Sequence, residues 1–198
     1  MGAIVRQPHR VRGLALAFGV CAALTVVAPW SPAAEAAEPG PALLTAVDVQ
    51  DMGTFDRVTF SFRTSMCIDS PCNVVNPVPA ITHAEYVSRP VLADASGMEV
   101  PVAGNAVLRI AMSPASTVDG SVDPPVTTYA GATRIQPDLP NVVDVVETGD
   151  FEGVLSWAIG LRSGEVPASA VVLTDPTRVV VDIPHVVIAV VAAPSFTG

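Results

Sequence analysis

Apolar and polar positions alternate most sharply in FDRVTFSFR, where Val58, Phe60 and Phe62 fall on one side and Arg57, Thr59, Ser61 and Arg63 on the other. A period of two puts successive side chains on opposite faces of a pleated strand, so the segment predicts a strand with one face in a core and one in water. Val58, Phe60 and Phe62 are thus expected core anchors, contributing about 1.5 to 3 kcal/mol each if fully buried. A strand from Leu43 to Val49 is expected before it, across a turn at Asp51-Met52-Gly53.

Further along, the pattern predicts a strand around His83 to Ser88, a turn at Asp94-Ala95-Ser96-Gly97, and short extended pieces at Met98 to Val102 and Ala106 to Met112. Gly104-Asn105 suits a hairpin turn, since both residue types tolerate positive φ. Ser113 to Asp123 reads as a surface loop and Tyr129 to Ile135 as an edge element. Val142 to Glu147 is β-rich, with Thr148-Gly149-Asp150 as a turn. FEGVLSWAIGL then sets Leu155, Trp157, Ile159 and Leu161 against Val154, Ser156, Ala158 and Gly160. The small set predicts close approach of a neighbouring strand or loop, with Trp157 as a core anchor and a ligand platform as its alternative role. Val166 to Thr174, an Asp175-Pro176 turn and Arg178 to Ile183 complete the series, and Val186 to Ala193 suits a last strand or a strand-like tail. Many short strands separated by Gly, Pro and Asp turns predict an all-β fold, an antiparallel β-sandwich in a single domain.

The chain's start follows a different rule. Residues 1–12 carry Arg6, Arg10 and Arg12, and Gly13 to Ala28 is a 16-residue apolar run. Such a run is shorter than the roughly 18 residues of a spanning helix, and Pro29, Pro32 and small residues follow it, as in a signal peptide. Ala34-Glu35-Ala36 supplies a cleavage site, which gives a leader at 1–36, a flexible lead at 37–42, a domain at 43–188 and a short tail at 189–198. Retention as an anchor, or lipidation at Cys21, are the alternatives; Phe18-Gly19-Val20 before Cys21 is a poor lipobox. Membrane contact is then transient and confined to the signal peptide.

Loss of that leader changes composition and charge. The 198-residue chain has 10 Lys plus Arg, all Arg, against 19 Asp plus Glu, for a net charge of -9; the remaining 162 residues would carry 7 Arg and 18 acidic groups, or -11. An acidic domain lacks the positive field that collects a phosphate backbone, so nucleic acid is excluded as a partner. Cys67 and Cys72 remain as a pairable couple, suited to a disulfide in an oxidising compartment, with free, metal-bound or redox thiols as alternatives. Closing so short a loop would act locally, contributing about 2 kcal/mol.

Catalytic motifs are sparse. A zinc hydrolase needs a set such as two His and a carboxylate, whereas His83 and His185 lie far apart in no ligand-spaced motif. Both are expected on a sheet surface or in a loop. There is no G-x-S-x-G elbow, with Ser156 on a strand, and no phosphate loop. Asp119-Gly120-Ser121-Val122-Asp123 resembles the start of a calcium loop without the later Glu, and is expected to be a solvated turn. No cofactor or metal is therefore expected. Arg57, beside Asp56, is expected in a strand-end ion pair, Arg178 in a hairpin with Asp175-Pro176, and Asp182 in a cross-sheet pair. Arg57, Arg178 and Asp182 form a polar set for fold support or ligand contact.

Four phrases in order, FDRVTFSF, SGMEVPVAGNAVLRIAMSPA, GDFEGVLSWAIGLR and LTDPTRVVVDIPH, together resemble the AMIN-like domain of secreted actinobacterial proteins, over roughly Leu43 to Ile188. The Cys67 to Cys72 loop looks like an insertion relative to that pattern. The resemblance implies a β-sandwich distantly similar to AMIN modules of the cell envelope, and hence a secreted, non-catalytic module that binds peptidoglycan, another glycan or an envelope protein. A cell-wall hydrolase and a structural or assembly protein are the alternatives.

Overall fold

The computed structural model describes residues 40–63, 66–67, 74–75 and 77–185. The expected signal peptide and tail, the pairing of Cys67 with Cys72, and a strand at Val186 to Ala193 lie outside the described residues.

The strands are β1 (Ala42–Asp51), β2 (Phe55–Phe62), β3 (Met66–Cys67), β4 (Val74–Val75), β5 (Ala80–Tyr86), β6 (Ala106–Ser113) and β7 (Ala115–Ser116). They continue with β8 (Val118–Asp119), β9 (Val126–Thr127), β10 (Arg134–Ile135), β11 (Val142–Phe151), β12 (Val154–Leu161), β13 (Ser169–Leu173) and β14 (Arg178–Pro184). No helix occurs among the described residues. Two five-stranded sheets carry the fold, in the orders β13-β14-β2-β1-β7 and β10-β11-β12-β6-β5; β3-β4 and β8-β9 form two-stranded ribbons. All pairings but β1 with β7 are antiparallel.

One core lies between the two large sheets. Val58, Phe60 and Phe62 of β2 and Val179, Val181 and Ile183 of β14 meet Leu108, Ile110 and Met112 of β6 and Leu155, Trp157, Ile159 and Leu161 of β12. Trp157 has no exposed surface; its ring packs 5.6 Å from Phe60 and 5.9 Å, edge-on, from Tyr129. Full burial leaves Trp157 no face for a ligand, and aromatic pairs in these orientations contribute beyond area burial.

The outer face of the β6-β12 pair is covered by the long β5–β6 connection. Val91 and Val102 from it pack on Val107 and Ala158 in a second, small cluster. Gly160 permits this approach, since a Cβ there would sit 2.0 Å from the Ala103 carbonyl oxygen. Polar ties hold the connection down: Ala103 N–H donates to Asp144 at 2.9 Å, and Arg89 donates to the carbonyls of Val102 and Gly104. Arg134 donates to both Asp144 and the Pro101 carbonyl.

Several expectations need correction. Thr148-Gly149-Asp150 is no turn: β11 runs on to Phe151 with a bulge between Glu147 and Gly149. The reversal falls at Glu152-Gly153, both with positive φ (50° and 74°). Asp150 is instead fixed by the Thr117 amide and hydroxyl and the Ser116 hydroxyl. Ser113 to Asp123 holds two short strands rather than being wholly loop, and Met98 to Val102 contributes a single bridge, Leu92 to Glu99. Gly104-Asn105 joins no hairpin; Asn105 N–H bonds the Leu161 carbonyl across to β12. The strand expected at His83 to Ser88 is shifted to Ala80–Tyr86.

Candidate functional site

Small residues on the outer face of the second sheet create a depression that the β5–β6 connection does not fill. Ser156 pairs with Ala111 on one side and Gly149 on the other, so this row across the sheet carries little bulk. A recess of about 460 Å³ opens there, lined by Thr82, His83, Arg109, Ala111, Phe151 and Glu152 among others. Asp94 reaches its edge because Gly149 has no side chain: a Cβ there would lie 2.5 Å from the Asp94 Cβ. The Asp94 amide is tied to the Thr148 carbonyl at 2.8 Å, so the bulge and the connection hold each other in place.

Arg109 on β6 donates to Asp94 Oδ1 at 2.6 Å. Both residues also line a second recess of about 390 Å³ bounded by Ser88, Leu92 and Gly97. Two depressions thus share one polar divide. Arg109 Nε, Thr148 Oγ1 and Ser156 Oγ are buried around it without a hydrogen-bond partner among the described residues. Phe151 stands half-exposed at the upper rim. The first recess thus sets an aromatic side chain, Phe151, in the same lining as a bonded guanidinium–carboxylate pair.

At the opposite end of the strands, Asp56 is wholly buried. Its Oδ2 accepts the amides of Asn141 and Val142 at 2.8 and 2.7 Å, and its Oδ1 lies 2.7 Å from His185 Nε2. Asp51 Oδ1 is 3.8 Å from the same nitrogen. A recess of about 610 Å³ lined by Pro140, Asn141, Arg162 and Val166 reaches His185. His185 thus follows β14 outside any strand, as one of the two expected placements had it, and the in-register pairing of β14 with β2 carries it over Asp56, a contact the sequence did not suggest. His83 does lie on an exposed strand, 3.6 Å from Glu85.

The polar set separates. Arg57 and Asp182, opposite each other on β2 and β14, form a two-bond ion pair at 2.7 and 2.8 Å. This pairing, led by the hydrogen bond to Asp182, raises the Arg57 pKa. Arg57 does not pair with Asp56, since adjacent strand residues face opposite sides. Arg178 starts β14 next to the Asp175-Pro176 reversal, opposite Leu173, and does not join the pair. Asp119 is not a solvated turn residue: the Ser121 hydroxyl and amide and Arg63 converge on it and hold its carboxyl below the usual range. Glu147 is pushed the other way, by burial first and the charge of Asp150 second.

Sequence reasoning missed Asp94, Arg109, Phe151 and the Asp56–His185 contact. The row of small residues signalled the recess, but also fitted the close approach that occurs at Gly160.

The family model for the AMIN-like domain matches residues 42–185. No curated protein and no solved structure matches the chain.

Proposed function

The chain belongs to the AMIN-like domain family, and from that membership we propose that it is a secreted module that holds an envelope glycan in the recess beside Arg109. AMIN-like domains are associated with the cell envelope and are generally non-catalytic binding modules. The observation that carries the glycan reading is the pair of joined recesses, divided by Arg109 and Asp94 and rimmed by Phe151. A guanidinium and a carboxylate held side by side can donate to and accept from neighbouring sugar hydroxyls. An aromatic ring offers a face for the apolar side of the sugar.

An envelope protein is the second reading, favoured by the exposed side chains of Val118, Val122 and Val126 around the β8-β9 ribbon. Export through the apolar leader and a Cys67–Cys72 disulfide belong to the same proposal, as features of a domain working outside the cytoplasm. Pulldown of the full chain with purified cell wall and with membrane extract separates the readings. Retention on cell wall supports the glycan, and retention on extract alone supports the protein. Retention no better than that of an unrelated acidic protein on either contradicts both.

A further inference from the structure

We infer that Asp51, Asp56 and His185 form a binding site for one divalent transition cation of the zinc class. The three residues come from the end of β1, the start of β2 and the residue after β14, yet their donor atoms all lie within 4.8 Å of one another. His185 Nε2 faces both carboxylates, at 2.7 Å from Asp56 and 3.8 Å from Asp51. One imidazole nitrogen with two carboxylate oxygens is a hard-to-borderline donor set that suits zinc or manganese better than a soft ion.

Both carboxylates, and the backbone that carries the imidazole, are held by contacts outside the cluster. The Asn141 and Val142 amides occupy Asp56 Oδ2 and leave Oδ1 toward the imidazole. The Gly53 amide donates to Asp51 Oδ1 at 2.7 Å, and the backbone amide of His185 donates to the Thr54 carbonyl at 2.9 Å, which fixes the main chain that carries the imidazole. Metal ligands are typically held by such supporting bonds.

Charge points the same way. A wholly buried carboxylate and a second one beside it face a single imidazole, and Arg57, next in sequence to Asp56, is committed to Asp182 on the other face of the sheet. A dication balances both carboxylates where a protonated imidazole balances one. Tetrahedral bonds of about 2.0 to 2.2 Å need donors roughly 3.3 to 3.6 Å apart. The 2.7 and 3.8 Å separations straddle that range, and Asp51, 45% exposed in its side chain at the rim, has room to close in. The recess lined by Asn141 and Arg162 gives an ion a route to His185.

Metal-free full chain, with thiols alkylated to exclude Cys21, Cys67 and Cys72, is titrated with Zn²⁺ by calorimetry and with Co²⁺ by visible absorption. Saturable uptake of one ion per chain is expected, weakened about tenfold or more in Asp51→Asn, a variant that keeps side-chain shape. Asp182→Asn, which removes a carboxylate outside the cluster, should bind as the parent does. A parent chain that takes up no stoichiometric ion, its His185 serving only as the partner of Asp56, overturns the assignment. So does an Asp51→Asn chain, folded by circular dichroism, that binds as tightly as the parent.

Discussion

Asp94 sits on Gly149: the carboxylate of the β5–β6 connection occupies the space that any side chain at the β11 bulge would fill, with only 2.5 Å between the Asp94 Cβ and a Cβ at that glycine. The contact makes the recess a product of both elements. Gly149→Ala should displace Asp94 and strain the bulge, at about 1 to 3 kcal/mol, the usual range for overpacking. Urea unfolding measures the cost. Loss of the Asp94–Arg109 contact should accompany it as faster exchange of the Asp94 amide, which is bonded to Thr148.

Gly160 makes a tighter demand on the same connection. The obstacle there is the backbone oxygen of Ala103, 2.0 Å from where an alanine Cβ would sit, rather than a side chain that could rotate away. Gly160→Ala should therefore cost at least as much as Gly149→Ala and loosen the Ala103 amide from Asp144. Equilibrium denaturation with amide exchange at Ala103 checks both effects.

The Arg57–Asp182 pair is geometrically good but partly exposed, with side chains 35% and 28% accessible. A double-mutant cycle with Arg57→Ala and Asp182→Ala should return a coupling of about 0.2 to 1 kcal/mol that shrinks at high salt. A cell-wall ligand contacting this pair would be lost in either single variant; retained binding is expected, since the pair lies on the first sheet and the recess on the second.

Two carboxylates should give opposite pH signatures. Glu147 has its pKa raised from 4.5 by burial and by Asp150. Its neutral form suits the fold, so its contribution is fully present below pH 4.5 and lost as pH rises through the raised folded value. Glu147→Gln should raise the thermal midpoint at neutral pH, and the gain should vanish in acid. Asp119 has its pKa lowered from 3.8, first by the Ser121 hydroxyl. Its contribution is present above pH 3.8 and lost as pH falls through the lowered value. Asp119→Asn should lower the midpoint at neutral pH, with the deficit fading in strong acid.

The sandwich was legible where alternation was clean. Val58, Phe60 and Phe62 announce β2, and the large set Leu155, Trp157, Ile159 and Leu161 announces the inner face of β12. Legibility failed where a residue type had two uses. Gly149 reads as a turn residue because turns and close approaches both favour glycine, whereas Gly149, Asp150 and Phe151 in fact go on pairing with Ser156, Leu155 and Val154 of β12. His185 reads as a lone histidine because its partners are 129 and 134 positions away in sequence and are met only through β14–β2 pairing. Arg109 alternates correctly on its strand, but nothing local reveals that Asp94 returns to meet it.

The measurement that bears most directly on the recess as the ligand site is binding of the full chain to purified cell wall, compared with Phe151→Ala and Leu173→Ala. Both side chains are exposed, at 50% and 38%, so neither truncation disturbs the core. Phe151→Ala should weaken binding about tenfold, as loss of one aromatic contact of about 0.5 to 1.5 kcal/mol together with its buried area implies. Leu173→Ala, on β13 of the other sheet, should bind as the parent chain does. Equal binding by all three chains would contradict the assignment of the recess.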